Sequence, residues 1–558
     1  MKVKKNNKIL VIALSVAFVS ITIIAIVAFL NWQFVFTFSD GLSDIKEKIS
    51  SESYTDIDVL SYQINLELNS DEQTINGDVL IKLKTKQQKQ NRIVLNFYDN
   101  FRLSTVTING KKTDYTYDDN LLILNNTRPF GKEIELRIIY SGTPKNVGLG
   151  SFNFGKYKNK SLVYSLNEPV FASTWFPCND DVTDKAFLKM SITNDSSMVS
   201  ISNGKLIDMT IKGSKKTYTY VSEYPISTYL VALYSGQYEN FKENYISVDS
   251  KDTMLINYYV TEDKLDEAKI DFSIHVEAIK IFSELFGEYP FLKDGYGVAQ
   301  FLWKHGAMEH QTITGIGSDY ISGLKFHTSI LVHELAHHWW GNAVSPKSWK
   351  DIWLNEGFST YSEALYYEKK SGVKSLQSTM LSFKNDFEDG PLYNPGLKMF
   401  GRLVYDKGAW VLHMIRRELG DEIFFNVLRN YFIHYKYKNA NTNDFIKICE
   451  KYSGKNLSVF FDQWVYKGVG IINLDYSWVN KNNVVKLKIK QTQGSDIIYR
   501  FPLDVEIKYS DVEADTLSFL ISQKETELNI PVRKKIMDLM PDPESWLLAT
   551  FNPQNIEK

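Results

Sequence analysis

The segment His333-Glu334-Leu335-Ala336-His337 constrains this chain more than any other stretch. The two histidines are four positions apart and no glycine or proline follows until Gly341, so a helix sets both imidazoles on one face, one turn apart. Such a pair can reach a single ion. Zinc suits it, because catalytic zinc takes three protein ligands and keeps a fourth position for water. Glu334 projects about 100° around the helix from His333, which aims it at that water and makes it the natural general base. A third histidine six positions after His337 would give a different ligand set, but that position is Ala343. Glu356 remains, nineteen positions after His337 in Trp353-Leu354-Asn355-Glu356-Gly357, and completes a two-histidine, one-glutamate set from a second helical segment. Any fold of this chain must therefore hold two helices side by side at this point. Glu363 reads equally as a carboxylate orienting a ligand or as a surface group, and His338, off the metal-facing side, as a packed histidine.

Composition narrows the partners. The 558 residues are 44% hydrophobic and 23% charged, a balance that builds folded cores, and the length asks for three or four domains. Lysine and arginine number 64 against 66 acidic residues, a formal net charge of -2, so no global field favours nucleic acid. Two cysteines, Cys178 and Cys449, exclude a disulfide framework and a thiolate metal site; two separate thiols are favoured over one bridge.

The N-terminus carries a second signal. Lys2, Lys4, Lys5 and Lys8 precede an uncharged apolar run over residues 9–30. As a helix that run spans about 33 Å, enough for a bilayer core. It leads into Asn31, Trp32 and Phe34 rather than a small-residue cleavage site, so an uncleaved anchor is expected over residues 1–38, lysines in the cytoplasm and the rest outside it, with a polar stalk over 39–53.

From residue 54 to about 240 the apolar residues alternate, as in Leu60, Tyr62, Ile64, Leu66 and Leu68, with turn signals at Asn109-Gly110 and Asn203-Gly204. This pattern predicts an antiparallel β-domain. Near Glu262 the period changes: Ile270, Ile274, Ala278, Ile281 and Leu285 share a helical face, and helical signals dominate to about Trp464. Alternation returns in Val485, Leu487, Ile489 and in Phe501, Leu503, Val505, Ile507, which predicts a small C-terminal β-domain over 471–558 after a catalytic domain over 241–470.

These motifs resemble the M1 family of zinc aminopeptidases, the gluzincins that include aminopeptidase N. The run from His333 to Asn342 followed by Trp353-Leu354-Asn355-Glu356-Gly357 is similar to the family's zinc block. Gly306-Ala307-Met308-Glu309-His310 resembles its GxMEN motif, which lies along the substrate; the resemblance implies that Gly306 and Ala307 line that path and that Glu309 holds the free α-amino group. His310 stands where the family has asparagine. Tyr405-Asp406-Lys407-Gly408-Ala409 looks like the segment whose tyrosine stabilises the tetrahedral intermediate, a role implied for Tyr405. Glu168-Pro169 falls where a β-domain loop offers a second carboxylate to the amine, with Leu166 in place of the usual glutamine. Weaker likenesses, Trp175-Phe176-Pro177-Cys178-Asn179-Asp180 with Lys185-Ala186 and the stretch from Ser227 to Ala232, are β-domain landmarks. The fold implied is multidomain α+β: an antiparallel β-domain, a thermolysin-like, mainly helical catalytic domain and a small C-terminal β-sandwich, a short form without the family's helical C-terminal domain. The function implied is hydrolysis of the N-terminal residue from peptides with one zinc ion per chain. Two other readings stay open on the residues, a zinc metallo-endopeptidase and a membrane-anchored binding protein with a vestigial site. Oligomeric state is not legible.

Overall fold

Alternating apolar residues need a covered face, and in the computed structural model of this chain, which describes residues 56–87, 89–384, 390–468 and 470–554, they find it by layering sheets. Strands Ile57–Asn69 and Thr74–Thr85 form the centre of an eight-stranded sheet, flanked by Phe187–Asp195 on one side and Glu133–Gly142 on the other. Tyr62, Ile64, Leu66 and Leu68 turn inward together with Val79, Ile81 and Leu83. A four-stranded sheet containing Lys160–Ser165 and Leu233–Gly236 and a three-stranded sheet around Leu121–Asn125 complete the N-terminal β-domain. Asn109-Gly110 forms the expected tight turn, with positive φ at both residues, between Arg102–Ile108 and Lys111–Lys112. Asn203-Gly204 does not join paired strands. It carries the chain from the four-stranded sheet into the eight-stranded one, and Asn203 Nδ2 donates to the carbonyls of Leu230 and Gln311.

The catalytic domain is less helical than its sequence implies. It opens on a five-stranded sheet ordered Glu239–Ile246, Thr253–Val260, Tyr296–Phe301, Thr314–Gly317 and Ala307–Met308. Tyr296–Phe301 and Thr314–Gly317 are buried along their whole length, so they show no alternation to read. The expected helical face is also corrected. The chain breaks into Leu265–Asp271 and His275–Phe286, joined by a 3-10 turn; Ile270 is left exposed and Ala278, Ile279, Phe282 and Leu285 face the core. Helix Thr328–Ala336 packs on the sheet, Trp353–Ser371 packs on that helix and Gly408–Leu419 on Trp353–Ser371, which brings the metal motif together.

Beyond Ile472 two sheets of four and three strands form the C-terminal β-domain, with Val485, Leu487 and Ile489 opposite Phe501, Leu503, Val505 and Ile507 as its buried face. It grips the catalytic domain through helix Gly408–Leu419. Arg417 makes a two-pronged contact with Asp504 at 2.6 and 2.9 Å, and His413 stacks on Trp546 at 4.4 Å. Cys178 and Cys449 are buried thiols in different domains. The transmembrane segment expected over residues 9–30, and its stalk, lie outside the described residues; among the described residues no helix is long and apolar enough to cross a membrane.

Arg416 holds the same helix from its other side, bonding both oxygens of Glu368 and both of Asp421 with its side chain only 4% exposed. Replacing it by alanine removes a buried guanidinium and leaves the part-buried Glu368 without its partner. Arg416→Ala is expected to lower stability by about 3 to 5 kcal/mol, visible as an earlier unfolding transition in urea; an unchanged midpoint would show that this cluster does not hold the helix.

Candidate metal centre

Helix Thr328–Ala336 carries His333 and Glu334, and His337 follows with helical backbone, its N–H bonded to the His333 carbonyl. Helix Trp353–Ser371 places Glu356 in its first turn and Glu363 two turns on. One oxygen of Glu356 lies 3.3 Å from Nε2 of His333 and 3.3 Å from Nε2 of His337, and the three donor atoms fall within 4.8 Å of one another. Four ligands placed tetrahedrally at the usual zinc distances stand about 3.3 to 3.4 Å apart, so the spacing matches zinc. The other ring nitrogens agree. His333 Nδ1 donates to Glu363 at 2.8 Å and His337 Nδ1 to the Trp340 carbonyl at 3.0 Å, which leaves both Nε2 lone pairs turned inward. Glu363, which the sequence left between two readings, is therefore buried against a ligand. His338 turns away, donating to the Glu334 carbonyl through Nδ1 and accepting from the Thr312 N–H.

The close approach of these helices depends on glycine. A Cβ built on Gly357 would meet the Cα of Gly408 at 2.8 Å, so the Glu356 helix touches the Gly408 helix backbone to backbone. Just before Gly408 the chain widens into a π-helical turn, Leu403–Lys407, a distortion frequent at functional positions. That turn lays the Tyr405 ring parallel to His333, with centroids 5.7 Å apart.

Glu309 reaches the same cavity from the edge strand Ala307–Met308, its carbonyl accepting from Asn342 Nδ2 at 2.7 Å. Gly306 just before it adopts φ +146, open to glycine. Glu168 comes from the β-domain, on the loop after Lys160–Ser165. Asn167 fixes that loop by donating to the Thr228 and Val231 carbonyls and accepting from the Trp175 indole. The landmark residues thus position Glu168, and Lys185 ties the β-domain to the metal motif by donating to the carbonyls of Asn342 and Ala343. Carboxylate oxygens of Glu168, Glu309 and Glu356 lie within 4.8 Å of one another, as do donors of Glu309, Glu334 and His337. One oxygen each of Glu168 and Glu309 is buried with no protein partner.

Together these residues line a cavity of about 420 Å³, with Gly306 and Ala307 in its wall. Leu149, Trp303, Ile330 and Phe400 line it too, and sequence motifs gave no sign of them. His310 is not among its walls. It is buried behind Glu309, where its Nδ1 pairs with the Tyr234 hydroxyl at 2.6 Å, and burial keeps it neutral by lowering its pKa to about 3.

Charge in the cavity is lopsided. Burial raises the carboxyls of Glu168 and Glu309, and nearby glutamates add to it. Glu334 is also raised, by burial first and by Glu309 and Glu356 next, against the pull of His333. Burial opposes charge on His333, yet its bonds to Glu356 and Glu363 hold its pKa well above the ordinary value. Burial is thus the first cause of the raised carboxyls, whereas Glu356, bonded to both imidazoles, is held down at about 2 against its own burial.

The comparisons with known proteins agree with this architecture. The descriptions "Peptidase M1 N-terminal domain" and "Peptidase family M1 domain" match residues 58–230 and 270–464. The chain is 26% identical over 502 residues to "Probable aminopeptidase 2" of Sulfurisphaera tokodaii, covering 85% of this chain and 61% of that protein. It is 29% identical over 380 residues to "Aminopeptidase M1-D" of Oryza sativa subsp. japonica, 63% of this chain and 42% of that one. The chain therefore spans about half the length of these curated relatives. In fold it resembles an M1 zinc metallopeptidase from Deinococcus radiodurans solved with a Tyr-Ser-Ala substrate, at TM-score 0.65 and 24% identity over 75% of this chain and 96% of that one. It also resembles Legionella pneumophila aminopeptidase A in complex with aspartic acid, at TM-score 0.80 and 18% identity over 91% and 61%.

Glu363→Ala frees the His333 ring to change tautomer and orientation. Zinc affinity measured by competition with a chelator is expected to fall about 10- to 100-fold, and an unchanged affinity would remove Glu363 from the site's support.

Proposed function

The chain belongs to peptidase family M1, and from that premise we propose that it is a zinc aminopeptidase that removes the first residue from peptides with a free N-terminus. The observation that carries this reading is the pair of unpartnered buried oxygens on Glu168 and Glu309, beside the ligand oxygen of Glu356. A substrate ammonium supplies the positive charge that both lack. Anchored there, it leaves room for one residue before the peptide carbonyl reaches His333 and His337, which sets the register to the first bond.

When bound by His333, His337 and Glu356, zinc supplies Lewis acidity to a water and to the scissile carbonyl. Glu334 takes the proton from the attacking water and hands it to the departing amide nitrogen. Tyr405, stacked on His333 in the cavity wall, would offer its hydroxyl to the oxyanion that develops, and one such donor is worth about 3 to 4 kcal/mol in the transition state. Glu363 holds the His333 ring during this cycle. A structural neighbour solved with a Tyr-Ser-Ala peptide is consistent with small peptides as substrates.

The apolar run over residues 9–30 behind four lysines supports a further part of this reading, that the enzyme is anchored in a membrane with its catalytic domain on the far side from the lysines. Full-length protein is expected to stay with the membrane fraction after alkaline washing, whereas a chain starting at residue 54 should be released; release of both would remove the anchor.

Glu309→Ala separates the amine reading from its endopeptidase rival. The wild type should cleave an aminoacyl reporter at least about 100-fold better than its N-acetyl form, a margin set by losing a charged, buried partner. In the variant that margin should shrink to about 10-fold or less; an undiminished margin would contradict the role of Glu309.

A further inference from the structure

An aminopeptidase cavity anchors every substrate by the same amine, so selectivity must come from what surrounds the first side chain. With the ammonium at Glu168 and Glu309 and the carbonyl at His333 and His337, the first residue's Cα is bracketed between them. Its side chain enters the rest of the cavity. Leu166 stands two residues ahead of Glu168 on the same loop, and its N–H donates to the Ser151 carbonyl at 2.9 Å, which holds that loop against the turn bearing Leu149. Met308 precedes Glu309 and is 3% exposed, and Phe400 closes the wall beside Tyr405. Ile330 sits one turn before Glu334 on the same helix face and also lines the cavity.

The charged groups point the same way. Among the described residues five glutamates line the cavity, Glu168, Glu309, Glu334, Glu356 and Glu363, and no lysine or arginine does. Each has an assignment: two to the ammonium, one to the metal, one to the proton, one to His333. A basic side chain finds no spare carboxylate, and an acidic one meets repulsion without a cation to offset it. His305, also in the wall, is disfavoured as a cation by burial and by Lys304.

We propose that this chain selects peptides whose first residue has a large apolar side chain, seated against Leu149, Leu166, Met308 and Phe400, and that it rejects acidic first residues. This selectivity rests on the aminopeptidase reading, and the test separates the two. Reporter amides of leucine, methionine, phenylalanine, alanine, lysine, aspartate and glutamate are compared on the zinc-loaded full chain, and the rise in Tm given by the matching unreactive aminoacyl amides is measured in parallel. Leucine, methionine and phenylalanine should exceed alanine in kcat/KM by about 10-fold or more and the acidic residues by about 100-fold or more. Leu166→Arg, which sets a guanidinium in the apolar wall, should raise the glutamate-to-leucine ratio at least about 10-fold. Phe400→Ala should lower the phenylalanine-to-alanine ratio. These are ratios within one protein, so partial misfolding cancels. Acidic reporters cleaved as well as leucine, or ratios moved by neither variant, would overturn the selectivity while leaving the aminopeptidase in place. If no reporter is cleaved but leucinamide still raises Tm more than the glutamate amide, the catalytic reading falls and the selectivity stands.

Discussion

The backbone contact between Gly357 and Gly408 is what the rest of the site hangs on. A side chain at either position would meet the other helix at under 3 Å, so any other residue pushes the Glu356 helix away. Moved outward, Glu356 no longer lies 3.3 Å from both imidazoles. The π-helical turn that lays Tyr405 over His333 runs directly into Gly408, so the proposed oxyanion donor would shift with it. Ligand and donor are therefore set by one close approach. The C-terminal β-domain holds the far end of the same helix through Arg417, Asp504, His413 and Trp546, so it contributes to the site without lining the cavity.

Around that contact the cavity concentrates negative charge. Five buried carboxylates face two imidazoles, an arrangement stable only if protons or other cations share the space. On the proposed reading, zinc answers that need at Glu356 with the histidines and a substrate ammonium answers it at Glu168 with Glu309. Binding and catalysis thus draw on the same imbalance. The loop carrying Glu168 belongs to a different domain from the metal helices, and Lys185 joins the two by bonding carbonyls just past His337.

Much of this was legible in sequence because spacing encodes it. Two histidines four apart and a glutamate nineteen positions on can be read without a fold, and the sequence already names Glu334, Glu309 and Tyr405 through motifs of fixed length. What escaped depends on distant packing. Strands Tyr296–Phe301 and Thr314–Gly317 are covered on both faces and so lose the alternation that reveals strands. Ile270 fits a helical stripe in sequence, but a 3-10 turn resets the phase and exposes it. Leu149 and Phe400 reach the cavity from loops no motif marks. His310, the departure from the family pattern beside Glu309, pairs with Tyr234 behind the cavity wall and does not line the cavity.

On the proposed reading, one metal ion held by His333, His337 and Glu356, with Glu334 as base, serves cleavage of the bond after a free N-terminal residue. Titrating zinc into metal-free protein while following a leucyl reporter and its N-acetyl counterpart tests it most directly, with Glu334→Gln as the parallel chain. Activity on the free-amine reporter is expected to rise to a plateau at one zinc per chain, with little on the acetylated one and full zinc binding without turnover in the variant. Turnover without metal, equal cleavage of the acetylated reporter, or an active Glu334→Gln chain would contradict that reading.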